Sequence, residues 1–123
     1  MKFKVAFFVD HKGFYPVQQY IQNLTTQEHD KVFAAIQRLE EEGYRLRRPT
    51  ADSIGGKTGL YELRPGRHRI LYYFQDRKYV VLLHAFLKRT DEIPQKEIDL
   101  ALFRKEICEV QFKHGEIDLD EED

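Results

Sequence analysis

This sequence has little cysteine and no long apolar run, and these two features exclude several classes of protein. The 123 residues include one cysteine, Cys108, which excludes an internal disulfide and leaves no second thiolate for a cysteine-based metal site. No apolar run approaches the roughly 18 residues that a membrane-spanning helix needs. The amino terminus lacks an apolar stretch followed by a cleavage site. We therefore expect a cytoplasmic protein with no membrane partner.

Several catalytic signatures are missing as well. The sequence contains neither the GxxxxGKS/T phosphate loop nor the GxGxxG nucleotide fingerprint, and it has no GxSxG nucleophile elbow. Its five histidines are scattered and show no HExxH spacing. We therefore expect neither a cofactor nor a bound metal ion.

What is present suits one globular domain. Apolar residues make up 41% of the chain and charged residues 33%, which is typical of a folded protein. No linker, internal repeat or low-complexity stretch divides the chain before its end. We therefore predict one domain over residues 1–113, followed by an acidic tail over residues 114–123.

The net charge of the chain is −1, but the charged residues are distributed unevenly along it. Residues 116–123 contain six acids and no base, whereas residues 45–89 contain eleven lysines and arginines and three acids. A basic middle beside an acidic end indicates a polyanionic partner, although a solvated charged surface has the same composition.

Hydrophobic periodicity and turn residues predict seven elements in the order β-α-α-β-β-β-α. Thr25 and Glu28 form a capping box at the start of the second helix, and Gly43 is a natural end for it. The expected strands lie at 2–9, 60–64, 67–75 and 78–88, and the expected helices begin near 16, 25 and 94. Residues 44–59 are expected to form a basic loop. The fold class is α+β, a small twisted and mostly antiparallel sheet with packed helices.

The strand predicted at 67–75 alternates between two kinds of side chain. Ile70, Tyr72 and Phe74 share a face that suits a helix-covered core, whereas Arg67, Arg69, Leu71 and Tyr73 share the other face, which we expect to be open. If the neighbouring strands are antiparallel, these bases meet Arg64, Lys88 and Arg89 near one end of the sheet, with His84 nearby. Arginines that pair with phosphates beside tyrosines that stack on bases would form a cradle for single-stranded RNA.

Each of these residues also has a structural interpretation. The arginines are equally compatible with ion pairs to Glu62 or Glu97, and strand tyrosines often belong to the core. His84 lies in an apolar run, where a buried histidine with satisfied hydrogen bonds is common. The residues alone indicate a basic domain that binds a polyanion, and they do not define a reaction.

Three segments resemble a known family. LYELRPGRHRILYY at 60–73 resembles the L-x-E-L-R and R-I-L-Y patterns of the Gp49-like branch of the RelE/HigB toxins, and VLLHAFLKRTDEIP at 81–94 is similar to the branch's L-L-H-x-F-x-K-R/K-T pattern. GFYPVQQYI at 13–21 is similar to the first helix of that branch. The resemblance covers roughly residues 3–112.

The resemblance implies a microbial-RNase-like fold and a toxin of a type II toxin–antitoxin system. Such a toxin would be an mRNA interferase that cuts mRNA on the 70S ribosome without a metal, by attack of a ribose 2′-hydroxyl on the adjacent phosphate. It would pair with a helix-turn-helix antitoxin of the HigA type.

Residue roles follow by position from the same resemblance. Arg69 would clamp the phosphate in the transition state, and Arg67 and Arg64 would line the same site. Lys88 and Arg89 would contact phosphate or protonate the leaving oxygen. His84 would be either an acid/base or structural, and Glu62 either the general base or an arginine partner. The expected RNA contacts are Lys57, Arg47, Arg48 and Tyr73.

Two other functions remain open at this stage. A ParE-like inhibitor of DNA gyrase belongs to the same superfamily, but the clustered bases favour the ribonuclease. A phage protein that binds RNA or its antitoxin without cutting is the other alternative, and Glu62 among the expected cationic residues keeps it open.

Overall fold

The computed structural model describes residues 2–113, so the acidic tail predicted at 114–123 lies outside the described residues. In this part of the chain, five strands and three α-helices are present, with a short 3₁₀ turn after the second helix. The strands are β1 (Lys4–Phe7), β2 (Ala51–Ser53), β3 (Tyr61–Leu63), β4 (His68–Phe74) and β5 (Tyr79–Leu87). The helices are α1 (Pro16–Gln22), α2 (Thr26–Glu42) and α3 (Gln95–Lys113).

The strands form one mixed sheet in the order β1-β5-β4-β3-β2. β1 runs parallel to β5, and the other three pairings are antiparallel. β5 therefore lies inside the sheet, as its apolar sequence predicts, and five of its nine residues in succession are buried. The predicted α+β class with a mostly antiparallel sheet is confirmed.

The predicted element order is wrong in one place. Residues 44–59 were expected to be a loop, but they contain β2, which pairs with β3 through Ala51 and Leu63. A three-residue strand is too short to show an alternating pattern, and it forms here because β3 offers a partner edge.

The helix ends follow from local sequence. Pro16 occupies the first turn of α1, where its missing N–H costs nothing. The Thr25 hydroxyl accepts from the Glu28 backbone N–H at 3.2 Å, and the Glu28 carboxylate accepts from the Thr25 N–H at 3.2 Å, which confirms the capping box. Gly43 ends α2 with a φ of 50°, and a side chain there would overlap the ring of Phe3.

The sheet is covered on both faces. Ile70 and Tyr72 pack with α1 and α2, which confirms the core face predicted for β4. Leu71 and Tyr73 pack with Ala101 and Cys108 of α3 on the opposite face. The prediction that this second face is open is therefore wrong. Among residues 2–113, no helix combines the length and apolar character that a membrane crossing requires.

Candidate functional site

The start of β4 and the end of β5 meet at one end of the sheet and form a cationic cavity of about 520 Å³. His68 pairs with Leu87 in the strand register, and the Lys88 backbone N–H donates to the Arg67 carbonyl at 2.8 Å. The antiparallel pairing therefore brings together four of the predicted site residues. The cavity is lined by Arg67, Arg69, Leu87, Lys88, Arg89, Thr90 and Asp91.

Arg69 lines this cavity and is only 5% exposed. Its Nη1 donates to the carbonyls of Gly66 at 2.9 Å and His68 at 2.8 Å, and its Nε lies 3.5 Å from Glu62 Oε1. Burial and the neighbouring Arg64 charge lower the pKa of the Arg69 guanidinium, while Glu62 opposes this shift. Arg69 is therefore held in place by protein contacts, whereas Arg67, which lines the same cavity, is exposed.

Glu62 lies between two arginines. Its side chain comes from β3 and the residue is 8% exposed; Arg64 Nη1 donates to its Oε2 at 2.9 Å, while Arg69 lies beside its Oε1. Glu62 is not among the residues that line the cationic cavity, and neither is Arg64. Arg64 instead borders a separate cavity of about 540 Å³ between α2 and the β3–β4 turn.

His84 is not part of the cationic cavity either. Its Nε2 donates to Glu97 Oε1 of α3 at 2.6 Å, so the imidazole joins β5 to α3. Burial lowers the pKa of His84, and the hydrogen bond and charge of Glu97 partly offset the shift. This environment fits the structural alternative for His84.

Tyr73 is 2% exposed, and the prediction that it lies on an open face is wrong. Its hydroxyl donates to Gln75 Oε1 at 2.5 Å, and Lys105 Nζ of α3 lies 5.5 Å from the centre of its ring. α3 therefore covers the ring, and no base can stack on it in this structure.

The other three predicted RNA contacts lie at the far edge of the sheet and are exposed. Arg47 Nη1 donates to the carbonyls of Tyr44 and, at 3.2 Å, Leu46. Arg48 Nε donates to Asp52 Oδ2 at 2.8 Å, and Lys57 lies in the turn between β2 and β3. The fold does not bring these bases to the cationic cavity.

Two features of this region were not predicted from sequence. Asp91 lines the cavity from the loop after β5, where no periodicity marks it. On the opposite face of β4, the Tyr20 hydroxyl donates to His68 Nδ1 at 2.7 Å, and His68 Nε2 donates to Glu28 Oε2 at 3.1 Å. The partners of His68 are 48 and 40 residues away in the chain, so only the fold reveals this network.

Metal-ligating side chains do not gather in the described part of the chain. Within residues 2–113, no group of three or more His, Cys, Asp or Glu side chains is placed to hold a metal ion.

Comparison with solved structures identifies a protein with the same α+β fold. The RelE–RelB complex of the archaeon Pyrococcus horikoshii OT3 contains a chain that superposes with a TM-score of 0.54 at 19% identity. The alignment covers 72% of this chain and 97% of that one. The likeness shows that the two chains share a fold.

The family is given by the sequence comparison. The profile of the family described as "Phage derived protein Gp49-like (DUF891)" matches residues 19–106, and this chain belongs to that family. A Mycobacterium tuberculosis (strain ATCC 25618 / H37Rv) protein described as "Putative toxin HigB2" is 34% identical over 76 residues, which cover 56% of this chain. The match spans 38% of that relative's length.

Proposed function

We propose that this protein is the toxin of a toxin–antitoxin pair and acts in the cytoplasm as a metal-independent endoribonuclease on ribosome-bound mRNA. The observation that carries the proposal is the cationic cavity, in which Arg67, Arg69, Lys88 and Arg89 surround a space of about 520 Å³. Membership of the Gp49-like family and the similarity to HigB2 support the same function.

The cavity suits a phosphodiester. Arg67 and Arg89 are exposed and Lys88 is partly exposed, so their donors are accessible to phosphate oxygens. Arg69 is held rigidly from behind by its carbonyl and Glu62 contacts. A preorganised guanidinium stabilises the negative charge that develops on the phosphorane without reorganising during the reaction.

The proposed reaction removes one proton from the attacking 2′-hydroxyl and adds one proton to the leaving 5′-oxygen. The ribose 2′-oxygen forms a bond to phosphorus while the bond from phosphorus to the 5′-oxygen breaks, leaving a 2′,3′-cyclic phosphate and a free 5′-hydroxyl. In this proposal Asp91, the one carboxylate residue among those lining the cavity, accepts the 2′-hydroxyl proton. Lys88 would protonate the leaving 5′-oxygen, and the ribosome would hold the mRNA in line.

Glu62 and His84 act indirectly in this proposal. Glu62 accepts hydrogen bonds from Arg64 and neighbours Arg69, so its carboxylate orients the arginines instead of accepting a substrate proton. His84 is engaged by Glu97 and joins β5 to α3. Both are positioning residues for the cationic cavity.

The proposed partners are the ribosome and an antitoxin. Exposed Arg47, Arg48 and Lys57 lie apart from the cationic cavity and would contact ribosomal RNA, where basic side chains bind phosphate regardless of sequence. The solved relative was captured as a RelE–RelB complex. By the family resemblance, the antitoxin would be a HigA-like helix-turn-helix protein, and we expect it to cover the cationic cavity.

The test is induction of the protein in cells, followed by primer extension on a defined message in translated and untranslated forms. We expect cleavage of the translated message alone, and its loss in Arg67→Ala. The matched control is Arg77→Ala, which removes another exposed arginine, in the β4–β5 turn at the other end of these strands. Growth arrest with an intact message would point to a gyrase-like target, and no phenotype would point to a non-catalytic binding protein.

A further inference from the structure

The side of α3 that faces away from the sheet has a row of apolar side chains that the described part of the chain leaves largely exposed. Phe103 is 61% exposed and Val110 is 50% exposed. Leu100 and Ile107 are half-buried and complete the row. The four residues follow one another at spacings of three, four and three, which places them on one side of a helix. We name them the outer stripe.

α3 therefore has apolar side chains on two opposite sides. Ala101 and Cys108 are fully buried against the sheet. Each lies two residues before Phe103 or Val110, which corresponds to about 200° around the helix axis. A helix that packs on one sheet needs one apolar side and has polar residues opposite it. The second apolar side indicates a second packing partner.

The spacing of the outer stripe fits another helix. Apolar residues at alternating intervals of three and four form the seam at which two helices pack, with each side chain inserted between side chains of the facing helix. The stripe covers residues 100–110, about 15 Å along the axis, which matches roughly three turns of a partner helix. A strand would fit poorly, since its side chains repeat at a period of two.

The outer stripe has an acidic flank. Asp99 and Glu106 are exposed, and each precedes a stripe residue by one position. Two neighbouring bases of α3 are engaged elsewhere: Arg104 donates to a β5 carbonyl at 2.8 Å, and Lys105 Nζ lies 3.1 Å from Glu109 Oε2. Carboxylates beside an apolar seam favour a partner that has lysine or arginine at the facing positions.

We propose that the outer stripe binds an amphipathic helix of a partner protein, with apolar side chains along one face and lysine or arginine beside them. Phe103 and Val110 insert into the apolar face of that helix, and Asp99 and Glu106 pair with its bases. A second copy of this chain is the less suitable occupant, because two copies packed antiparallel through the stripe bring Glu106 of each against the other. Neither Phe103 nor Val110 lines the cationic cavity, so this surface is separate from the proposed ribonuclease site.

The test is NMR titration of the full chain with a synthetic helical peptide of three heptads, with leucine along one face and lysine at the flanking positions. We expect shifts in the backbone amide signals of residues 99–110 and a Kd on the order of 100 µM. The same peptide with glutamate in place of lysine should bind at least roughly tenfold more weakly. Equal affinity for the two peptides, or shifts confined to other residues such as the acidic positions 116–123, would overturn the proposal.

Two variants test the apolar and the acidic feature separately. Phe103→Ala should weaken binding of the lysine peptide at least roughly tenfold. The matched control is Phe33→Ala on α2, which removes a phenylalanine that is 55% exposed and should leave the affinity unchanged. Glu106→Lys should remove the preference for the lysine peptide over the glutamate peptide. Unchanged affinity in Phe103→Ala, an equal loss in Phe33→Ala, or an unchanged preference in Glu106→Lys would each refute the helix-binding surface.

Two further measurements separate this surface from the alternatives. The free chain should sediment as a monomer at the NMR concentration, and a dimer that is lost in Phe103→Ala would replace the partner helix with a second copy. Because Phe103 does not line the cationic cavity, Phe103→Ala should leave mRNA cleavage in cells unchanged. Failure of peptide binding with cleavage intact would overturn only the helix-binding surface, and binding without cleavage would overturn only the proposed function.

Discussion

Replacing Arg69 removes buried hydrogen bonds and an ion pair as well as a positive charge. The resulting loss in the free energy of unfolding can be estimated from these contacts. The guanidinium hydrogen-bonds two backbone carbonyls and lies 3.5 Å from Glu62 in a site where Arg69 is 5% exposed. Breaking a buried ion pair by removing one partner costs about 3–5 kcal/mol. Glu62 keeps its bond to Arg64, which places the cost at the low end of that range. We expect Arg69→Ala to lower the free energy of unfolding by about 3 kcal/mol.

Urea unfolding followed by circular dichroism measures this loss directly. The control is Arg67→Ala, which removes an exposed guanidinium two positions away and should change the free energy of unfolding by less than about 0.5 kcal/mol. A double-mutant cycle with Glu62→Gln isolates the pair, since the amide that replaces the carboxylate carries no charge to be left unpaired. The double variant should lose less stability than the two single losses added together.

Two results would contradict a stabilising role for Arg69: a loss of stability in Arg69→Ala no larger than in Arg67→Ala, or losses in Arg69→Ala and Glu62→Gln that simply add. The first result would mean that the contacts of Arg69 add little stability, and the second that Arg69 and Glu62 are not energetically coupled. If Arg69 does stabilise the fold, Arg69→Ala can lose cleavage because the protein is destabilised, and the loss does not by itself identify a phosphate contact. Arg67→Ala is then the more informative variant for activity.

Four further predictions concern residues around the cationic cavity and in the helices that support the sheet. Glu97→Gln should lower the pKa of His84 further in an NMR titration, because burial then acts without the opposing carboxylate; a rise would contradict this. Since the folded pKa of His84 is depressed, its contribution to stability should be complete above the unfolded pKa of about 6.5 and decline as the pH falls. Thr25→Ala should cost about 1 kcal/mol in urea unfolding through loss of the cap, and no change would mean that the box contributes nothing. Gly43→Ala should raise steric overlap with its neighbours and cost more than about 2 kcal/mol, whereas Gly13→Ala, which has open space around it, should cost less.

Local features of this fold were predictable because their causes are local. The capping box needs only two side chains three residues apart, and both hydrogen bonds are present. The core face of β4 needs only strand alternation, which correctly assigned Ile70 and Tyr72 to the α1–α2 side. Such features are encoded within a few residues and do not depend on what packs later.

The errors arose where a distant element decides the environment. The second face of β4 has an arginine and a tyrosine that fit an open surface equally well, and only the position of α3 shows that Tyr73 is buried. β2 exists because β3 offers an edge, a fact that three residues cannot encode. Asp91 enters the site from a loop whose path no periodicity predicts.

The cationic cavity was predictable in part, because some of its features have local causes and others depend on distant elements. Antiparallel pairing of β4 with β5 follows from two apolar strands joined by a short turn, and it necessarily brings Arg67 beside Lys88. The clustering of bases at one end of the sheet was therefore predictable. The sequence did not predict which of the two arginines is engaged by the protein. Strand alternation puts Arg67 and Arg69 on one face, but it does not show that Glu62 of β3 contacts Arg69. The sequence pattern treats the two arginines alike, whereas the structure leaves Arg67 exposed and engages Arg69 with two backbone carbonyls and Glu62.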